Sequence, residues 1–291
     1  MSHGANAQRK SVPFAILAAL CLIPPAHAEE KPLWEAGLGI GALRFPDYRG
    51  SDEAQVYPVP VPYFIYRGKI LKADRDGVRG EIFNREYVEL SMSLNATIPV
   101  KSENNAARRD MPDLQPTLEL GPSLDLHLWR SADEAMKLDV VMPLRVPLTV
   151  ENSPQFIGWV FSPRLNLDIE DVAGHVGGHV EGMAGWNLGL GAGPIFADRK
   201  FHEYFYSVAP QFATPDRPAY EADGGYSGMH FLLALSKRFP DYWVGAYMRY
   251  DTLSGAAFED SPLVRSKHYL SGGFGIAWMI GQSKRMVETE D

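Results

Sequence analysis

Period-two alternation, held over segments too long for ordinary soluble strands, constrains this chain more than any other feature. From Val88 to Ile98 the even positions are Val88, Leu90, Met92, Leu94, Ala96 and Ile98, while the odd ones are Glu89, Ser91, Ser93, Asn95 and Thr97. Leu118, Leu120, Leu124, Leu126 and Leu128 alternate in the same way with polar residues or glycine. So do the stretches from Leu138 to Val150 and from Ile157 to Ile169. Successive side chains on a strand point to opposite faces, so each segment has one apolar and one polar face. Soluble strands are mostly about 5–6 residues long, whereas a strand crossing a bilayer needs about 9–11. The polar faces carry charges and glycines, which suits a watery lumen. The apolar faces carry Trp34, Trp129, Trp159, Trp186, Tyr204, Tyr242, Tyr250 and Trp278 near segment ends, where interfacial girdles form. In a secreted soluble sandwich, the alternative, long apolar-out strands would be an aggregation liability. The pattern predicts an all-β chain, an antiparallel transmembrane β-barrel.

Composition narrows the field further. The 291 residues hold 28 Lys+Arg against 36 Asp+Glu, a formal net charge of −8. An acidic balance argues against a nucleic-acid binder, which needs clustered cations to neutralise phosphates. No long apolar run follows residue 30, which excludes a helical membrane bundle but not a barrel. Residues 1–28 read as a signal peptide: Arg9 and Lys10, an apolar run from Val12 to Ile23, then the cleavage pattern Ala26-His27-Ala28. The single cysteine, Cys21, lies inside that leader, so the exported chain has no disulfide or thiolate to rely on. Residues 29–291 form one expected barrel domain with a short tail, 281–291.

Strands are expected at approximately 34–44, 56–66, 69–83, 86–98, 116–128, 137–150, 156–170, 175–192, 204–213, 228–238, 242–251 and 268–280. That makes about 12, with 10–14 compatible with the pattern. Even parity puts both termini in the periplasm. The third strand is ambiguous, because Asp74-Arg75-Asp76-Gly77 reads equally well as a hairpin turn, which would break the parity. Pro58, Pro60 and Pro62 alternate through one strand and strip the donors from one of its edges. That edge is either a weak seam or part of a segment lying outside the wall.

Two motifs carry a resemblance. Pro46-Asp47-Tyr48-Arg49-Gly50-Ser51-Asp52-Glu53, with Pro58-Val59-Pro60-Val61-Pro62-Tyr63 and Tyr66-Arg67-Gly68 after it, resembles the N-terminal signature of the MipA/OmpV family. Asp260-Ser261-Pro262-Leu263-Val264-Arg265-Ser266 and Tyr269-Leu270-Ser271-Gly272-Gly273-Phe274-Gly275 resemble its C-terminal signature. The resemblance spans essentially the whole exported chain. It implies a protein of the bacterial outer membrane in contact with outer-membrane lipid. It also implies a scaffold joining a periplasmic lytic transglycosylase to a murein (peptidoglycan) synthase. Other members are porin-like or adhesin-like, so a narrow channel for small solutes remains the alternative, with an outer-membrane hydrolase behind it.

No residue constellation points to an enzyme, a metal or a cofactor. His175, His179 and Glu181 share strand parity, but at about 3.3 Å per residue the two histidines stand roughly 13 Å apart, too far to share one zinc. Asp74-Arg75-Asp76-Gly77 lacks the later ligands of a calcium loop. Gly37-x-Gly39-x-Gly41 and Gly189-x-Gly191-x-Gly193 precede no helix, and no G-x-S-x-G elbow exists. Two surfaces are expected to matter instead. If the first and last strands pair, Pro46, Tyr48, Gly50, Ser51 and Asp52 meet Asp260, Ser261, Pro262 and Arg265 at one rim. Ion pairs are expected there, from Asp52 and Glu53 to Arg265 and from Arg49 to Asp260. The strand count places the polar stretch Val100–Gln115 on the periplasmic side as a possible partner loop, carrying Lys101, Arg108, Arg109, Asp110 and Asp113.

Overall fold

In lipid, backbone hydrogen bonds must be satisfied between strands, and a sheet that returns on itself leaves the fewest groups unpaired. The computed structural model describes residues 30–67, 71–74, 77–85, 87–175 and 184–288. β1 (Glu30–Pro32) precedes the wall. The wall consists of β2 (Trp34–Pro46), β3 (Ala54–Arg67), β4 (Leu71–Asp74), β5 (Gly77–Arg85), β6 (Val88–Ala96), β7 (Thr117–Arg130), β8 (Met136–Thr149), β9 (Val160–Phe161), β10 (Arg164–Ile169), β11 (Trp186–Ala197), β12 (Gly225–Arg238), β13 (Tyr242–Thr252) and β14 (His268–Gln282). β15 (Met286–Glu288) follows and pairs with β1 in a separate two-stranded sheet.

Neighbours in sequence pair antiparallel from β2 to β8 and from β10 to β14. Two further ladders carry the order round in a ring: β14 on β2, and β10 on β8. β9 continues β10 across the Ser162-Pro163 break and touches both β8 and β11. Counting β9 and β10 as one strand gives twelve wall strands among the described residues, but not the expected twelve. Asp74 pairs with Gly77, so the expected strand 69–83 is the hairpin β4–β5. The expected strand 204–213 is instead helix α2 (Arg199–Tyr206) followed by a 3-10 turn, Pro210–Phe212. Within the expected strand 175–192, β11 covers Trp186 onward among the described residues, and His175 ends a short helix, α1 (Val172–His175). His179 and Glu181 lie outside the described residues, as does the leader 1–28.

One gained strand and one lost strand preserve parity but reverse the chain direction between them. β6 therefore runs away from the termini, and residues 97–116 emerge on the opposite rim. The placement of Lys101, Arg108, Arg109, Asp110 and Asp113 beside the termini is thus corrected: they sit on the far rim, with the loop 47–53. The termini rim carries the short connections 131–135 and 239–241 and the described residues 170–175 and 184–185. The far rim carries 47–53, 97–116, 150–159, 198–224 and 253–267.

The wall follows the alternation. Along β7, Thr117, Glu119, Gly121, Ser123 and Asp125 are buried inside, while Leu118, Leu120, Leu124 and Leu128 are exposed outside. Leu144, Leu190, Phe231, Phe274 and Ile280 face outward in the same manner. Gly39 lies where a Cβ would come within 1.7 Å of the Ile276 carbonyl oxygen, so the β2–β14 closure needs glycine there. Trp129, Trp159, Trp278 and Tyr250 sit exposed on the outer face. Tyr204 departs from the expected girdle, because its helix belongs to the far rim.

Candidate functional site: a packed cap over one rim

The far-rim loops do not wave in solvent. They share an apolar core of Tyr48, Val100, Leu114, Tyr206, Phe258 and Leu263, with partners from four separate connections. Phe258, Leu253 and Leu263 have no exposed surface. The Tyr206 and Phe258 rings stack with centroids 3.6 Å apart, and Tyr48 meets Tyr206 edge-on at 6.5 Å. Burial pushes the Tyr206 phenol up to about 12 and raises that of Tyr48 as well, so both stay neutral donors.

Sequence chemistry explains how each loop is shaped. Asp198 caps α2: its Oδ1 accepts from the Phe201 N–H at 3.1 Å and from the Trp159 N–H at 3.1 Å. Gly50 adopts φ +95°, a left-handed conformation that glycine accepts without strain. Its carbonyl then receives the N–H groups of Arg265 (2.8 Å) and Ser266 (3.0 Å). The Tyr48 hydroxyl donates to the Leu263 carbonyl at 2.8 Å, and the Ser261 hydroxyl to the Tyr206 carbonyl at 2.6 Å. The two sequence signatures therefore touch, through backbone and buried hydroxyls.

The expected ion pairs do not form among the described residues. The side chains of Asp52, Asp260 and Arg265 are exposed, and exposed pairs contribute only about 0–1 kcal/mol. Arg49 instead turns inward, 3.5 Å from Asp251, and donates to the Ser227 carbonyl at 2.8 Å. Glu53 accepts the Ala106 N–H at 2.6 Å. Pro46 is a buried end residue of β2, and Pro262 is half-buried beside Leu263.

The loop 97–116 is the bridge. Asn105 donates to Asp47 Oδ2 at 2.9 Å and to Ser51 Oγ at 3.1 Å. Reaching the other way, Arg108 donates to the Phe205 carbonyl at 2.9 Å, and the Gln115 N–H donates to the Tyr204 hydroxyl at 2.8 Å. Arg217, from 198–224, returns the contact with bonds to the carbonyls of Ala107 (3.0 Å) and Arg109 (2.8 Å). Loops rooted on separate arcs of the ring thus meet across the mouth. Lys101 and Asp113 pair at 2.8 Å at the surface, and Asp110 is exposed with φ 66°.

Sequence reasoning missed Arg217, whose polar surroundings give no cue, and α2, whose cue was present. Asp198 ahead of a helix with His202 and Tyr206 at i, i+4 spacing is a helix-start signal. His202 bonds the Ser227 hydroxyl and the Asp223 carbonyl. Burial lowers its basicity and keeps it neutral. A Ser–His pair invites a hydrolase reading, yet both residues have zero exposure and the third partner is a carbonyl rather than a carboxylate. It is a structural clamp.

Below the cap, inside the wall, Asp251 accepts from Nε and Nη2 of Arg249 (2.7 and 2.8 Å). Arg145 donates to Ser93 Oγ at 2.8 Å and lies 3.8 Å from Glu119. No group of three or more metal-ligating side chains occurs among the described residues.

The family model described as "MltA-interacting protein MipA" matches residues 38–280. The chain belongs to the MipA family. That match contains both signatures and every wall strand from β3 to β13. No curated relative matches the chain. Among solved structures, the chain is similar to the Ralstonia pickettii toluene transporter TbuX at 10% identity, covering 88% of this chain and 71% of that one, with a TM-score of 0.24. It is also similar to the outer membrane protein OprG of Pseudomonas aeruginosa at 8% identity, covering 87% and 95%, with a TM-score of 0.21. Superposition at this level adds nothing to the strand pairing. The MipA-family chain is an outer-membrane β-barrel protein.

Proposed function

We propose that this MipA-family barrel is a non-enzymatic anchor of the bacterial outer membrane that presents its termini rim to murein-handling enzymes. The observation that carries the reading is the cap: loops that meet across the mouth and bury an apolar core fill the axial route an open porin would need. Bacterial barrels keep their short turns in the periplasm, which supports placing the termini rim there and the cap outside. The family description, with its interaction with MltA, favours a lytic transglycosylase and a murein synthase as partners. The docking surface then moves from 97–116 to the termini rim. There α1 and the 131–135 turn are joined by His175 and Asp133 (2.6 Å), on the rim from which the β1–β15 sheet also extends.

A narrow solute channel is the second reading, favoured by the charged inner face of β7, β8 and β13. Capture of a periplasmic lytic transglycosylase on the purified, detergent-solubilised chain tests the first. Capture should persist when residues 102–111 are deleted from the cap and weaken when the chain is ended at Gln282. Capture lost only with the cap deletion, or no capture at all, would overturn the proposal.

A further inference from the structure

Arg44 breaks the apolar rule of the outer wall. It shares strand parity with Leu38 and Ile40 on β2, both exposed to lipid, and it is exposed itself. Across the ladders it pairs with Val56 of β3 and Gly272 of β14. Val56, Leu270 and Phe274 around it face outward and are apolar. Its Nη1 donates to the Leu270 carbonyl at 3.2 Å. Among the described residues no carboxylate lies within ion-pair distance of it. Cations close by are matched, Lys267 by Glu259 at 3.4 Å and Arg49 by Asp251 at 3.5 Å.

A charge that faces lipid persists where it reaches an interface or a counter-charge. Arg44 stands two residues from Pro46, the cap end of β2, which puts it about 7 Å below that end. Tyr250 stands equally far from Thr252, the cap end of β13. Both sit at headgroup depth, where aromatic belts form. The Tyr250 hydroxyl is 2.9 Å from Nδ1 of His268, and the two rings stack with centroids 6.1 Å apart. The other imidazole nitrogen is 3.5 Å from Ser254 Oγ. His268 is exposed on the outward parity of Leu270, and its partners among the described residues are hydroxyls rather than carboxylates.

Below Tyr250 the outer face is hollowed. Ala192 lies between Leu165 and Phe231 in the register, and a methyl group between two large side chains leaves a trough. The groove spans about 390 Å³, walled by Leu167, Leu190, Phe231, Leu233, Met248 and Tyr250. In the row of Met248 the next outward residue is Gly272, and the one after it is Arg44. Gly272 puts no side chain between them, and two strand spacings set the Met248 and Arg44 backbones about 10 Å apart. The guanidinium can thus reach the cap end of the groove, where Tyr250, His268 and Ser254 supply hydroxyls and an imidazole. An apolar trough with these groups at its headgroup end fits an acyl chain whose phosphate sits at the rim. Phosphate accepts the planar guanidinium fork bidentately.

We infer that Arg44, His268 and this groove bind a phosphorylated, acylated sugar lipid of the outer leaflet, its phosphate on the guanidinium and an acyl chain in the trough. The choice of leaflet rests on the cap facing outward, as proposed above, because the outer leaflet of such a membrane is built of acylated sugar phosphates. The test takes the exported chain in lipid-free detergent micelles and reads retained lipid by native mass spectrometry. The probes are diphosphoryl lipid A, its dephosphorylated form and dimyristoyl phosphatidylglycerol. A single lipid A should stay bound, with each of the other two held about tenfold more weakly. Arg44→Gln should weaken lipid A by about tenfold, and Arg44→Lys should restore part of the loss. Ala192→Phe, which fills the trough, should weaken lipid A and its dephosphorylated form alike. Lys237 is an outward cation near the termini rim, opposite Trp186, and Lys237→Gln should bind lipid A as the unaltered chain does. Heat-modifiable gel mobility confirms that each barrel is folded. The inference fails if Lys237→Gln loses as much as Arg44→Gln, if Arg44→Gln or Ala192→Phe binds undiminished, or if phosphatidylglycerol is held as well as lipid A. Orientation is read separately: Glu103→Cys, exposed on the cap of an exported chain with no other thiol, should react with a membrane-impermeant maleimide on intact cells. A cap that stays unlabelled would overturn its outward placement and the outer-leaflet lipid with it. A labelled cap without lipid A selectivity would overturn the site alone.

Discussion

In the wall, Phe274 is 68% exposed and Leu144 44%; in the cap, Phe258 and Leu263 are fully buried. The same residue types serve opposite solvents. The wall turns its apolar side chains outward because lipid accepts them, and it is held together by inter-strand hydrogen bonds that lipid cannot replace. The cap stands in water and is held as a soluble domain is, by burial, ring stacking and buried guanidiniums that satisfy loop carbonyls. Two regions of one chain therefore answer to different substitutions.

Removing a large apolar group from each region should have opposite consequences. Phe258→Ala should destabilise the cap by about 3–5 kcal/mol, the range for a buried phenylalanine. Limited proteolysis should then cut 97–116 and 198–224 while the barrel keeps its folded gel mobility. Phe274→Ala, facing lipid, should leave both unchanged. Slightly smaller is the effect of charge on the outer face. Leu144→Arg should cost about 2–4 kcal/mol near the midplane, read from urea unfolding in lipid vesicles, whereas changing the inward Arg145 to Gln should be tolerated far better.

Smaller again is Gly50→Ala. The positive φ and a Cβ only 2.9 Å from Leu253 Cδ1 should cost upward of about 1 kcal/mol. It should be visible as faster amide exchange at Arg265 and Ser266, with the wall unaffected. The smallest effect is pH-dependent and lies at the termini rim. The Ser131 hydroxyl, and after it His175, hold the Asp133 carboxyl down to about 2, while Asp133 raises the His175 imidazole above its ordinary value. The histidine's share is fully present below pH about 6.5 and fades as pH rises through the raised value. The aspartate's share is present above about 3.9 and fades only near pH 2. The protection of amides in 131–135, relative to their intrinsic base-catalysed exchange, should therefore fall between neutral and mildly alkaline pH, and Asp133→Asn should remove that fall.

The wall was legible because the side-chain period of a strand is fixed by backbone geometry. Leu118 and Glu119, or Leu144 and Arg145, declare their faces in any chain that alternates so long. The segment 69–83 was not legible in the same way, since Asp74 to Gly77 suits a turn and a strand interior equally, and pairing with β6 decides. One unresolved turn reversed the direction of β6 and carried 97–116 to the opposite rim. The touching of the two signatures followed from closure alone. The manner of touching did not: Gly50 offers a carbonyl and Tyr48 a hydroxyl, and neither announces a partner more than 200 positions away. Residues 204–213 mislead because aromatics spaced three and four apart can also be read as alternating.

Planar-bilayer conductance tests most directly whether the loops close the mouth. The purified chain should be electrically quiet under a steady voltage, and deletion of residues 102–111, which removes Asn105, Ala107 and Arg108 from the cap, should open steady channels in a barrel that is still folded. Steady conductance in the unaltered chain equal to that of the deletion would contradict closure by the loops.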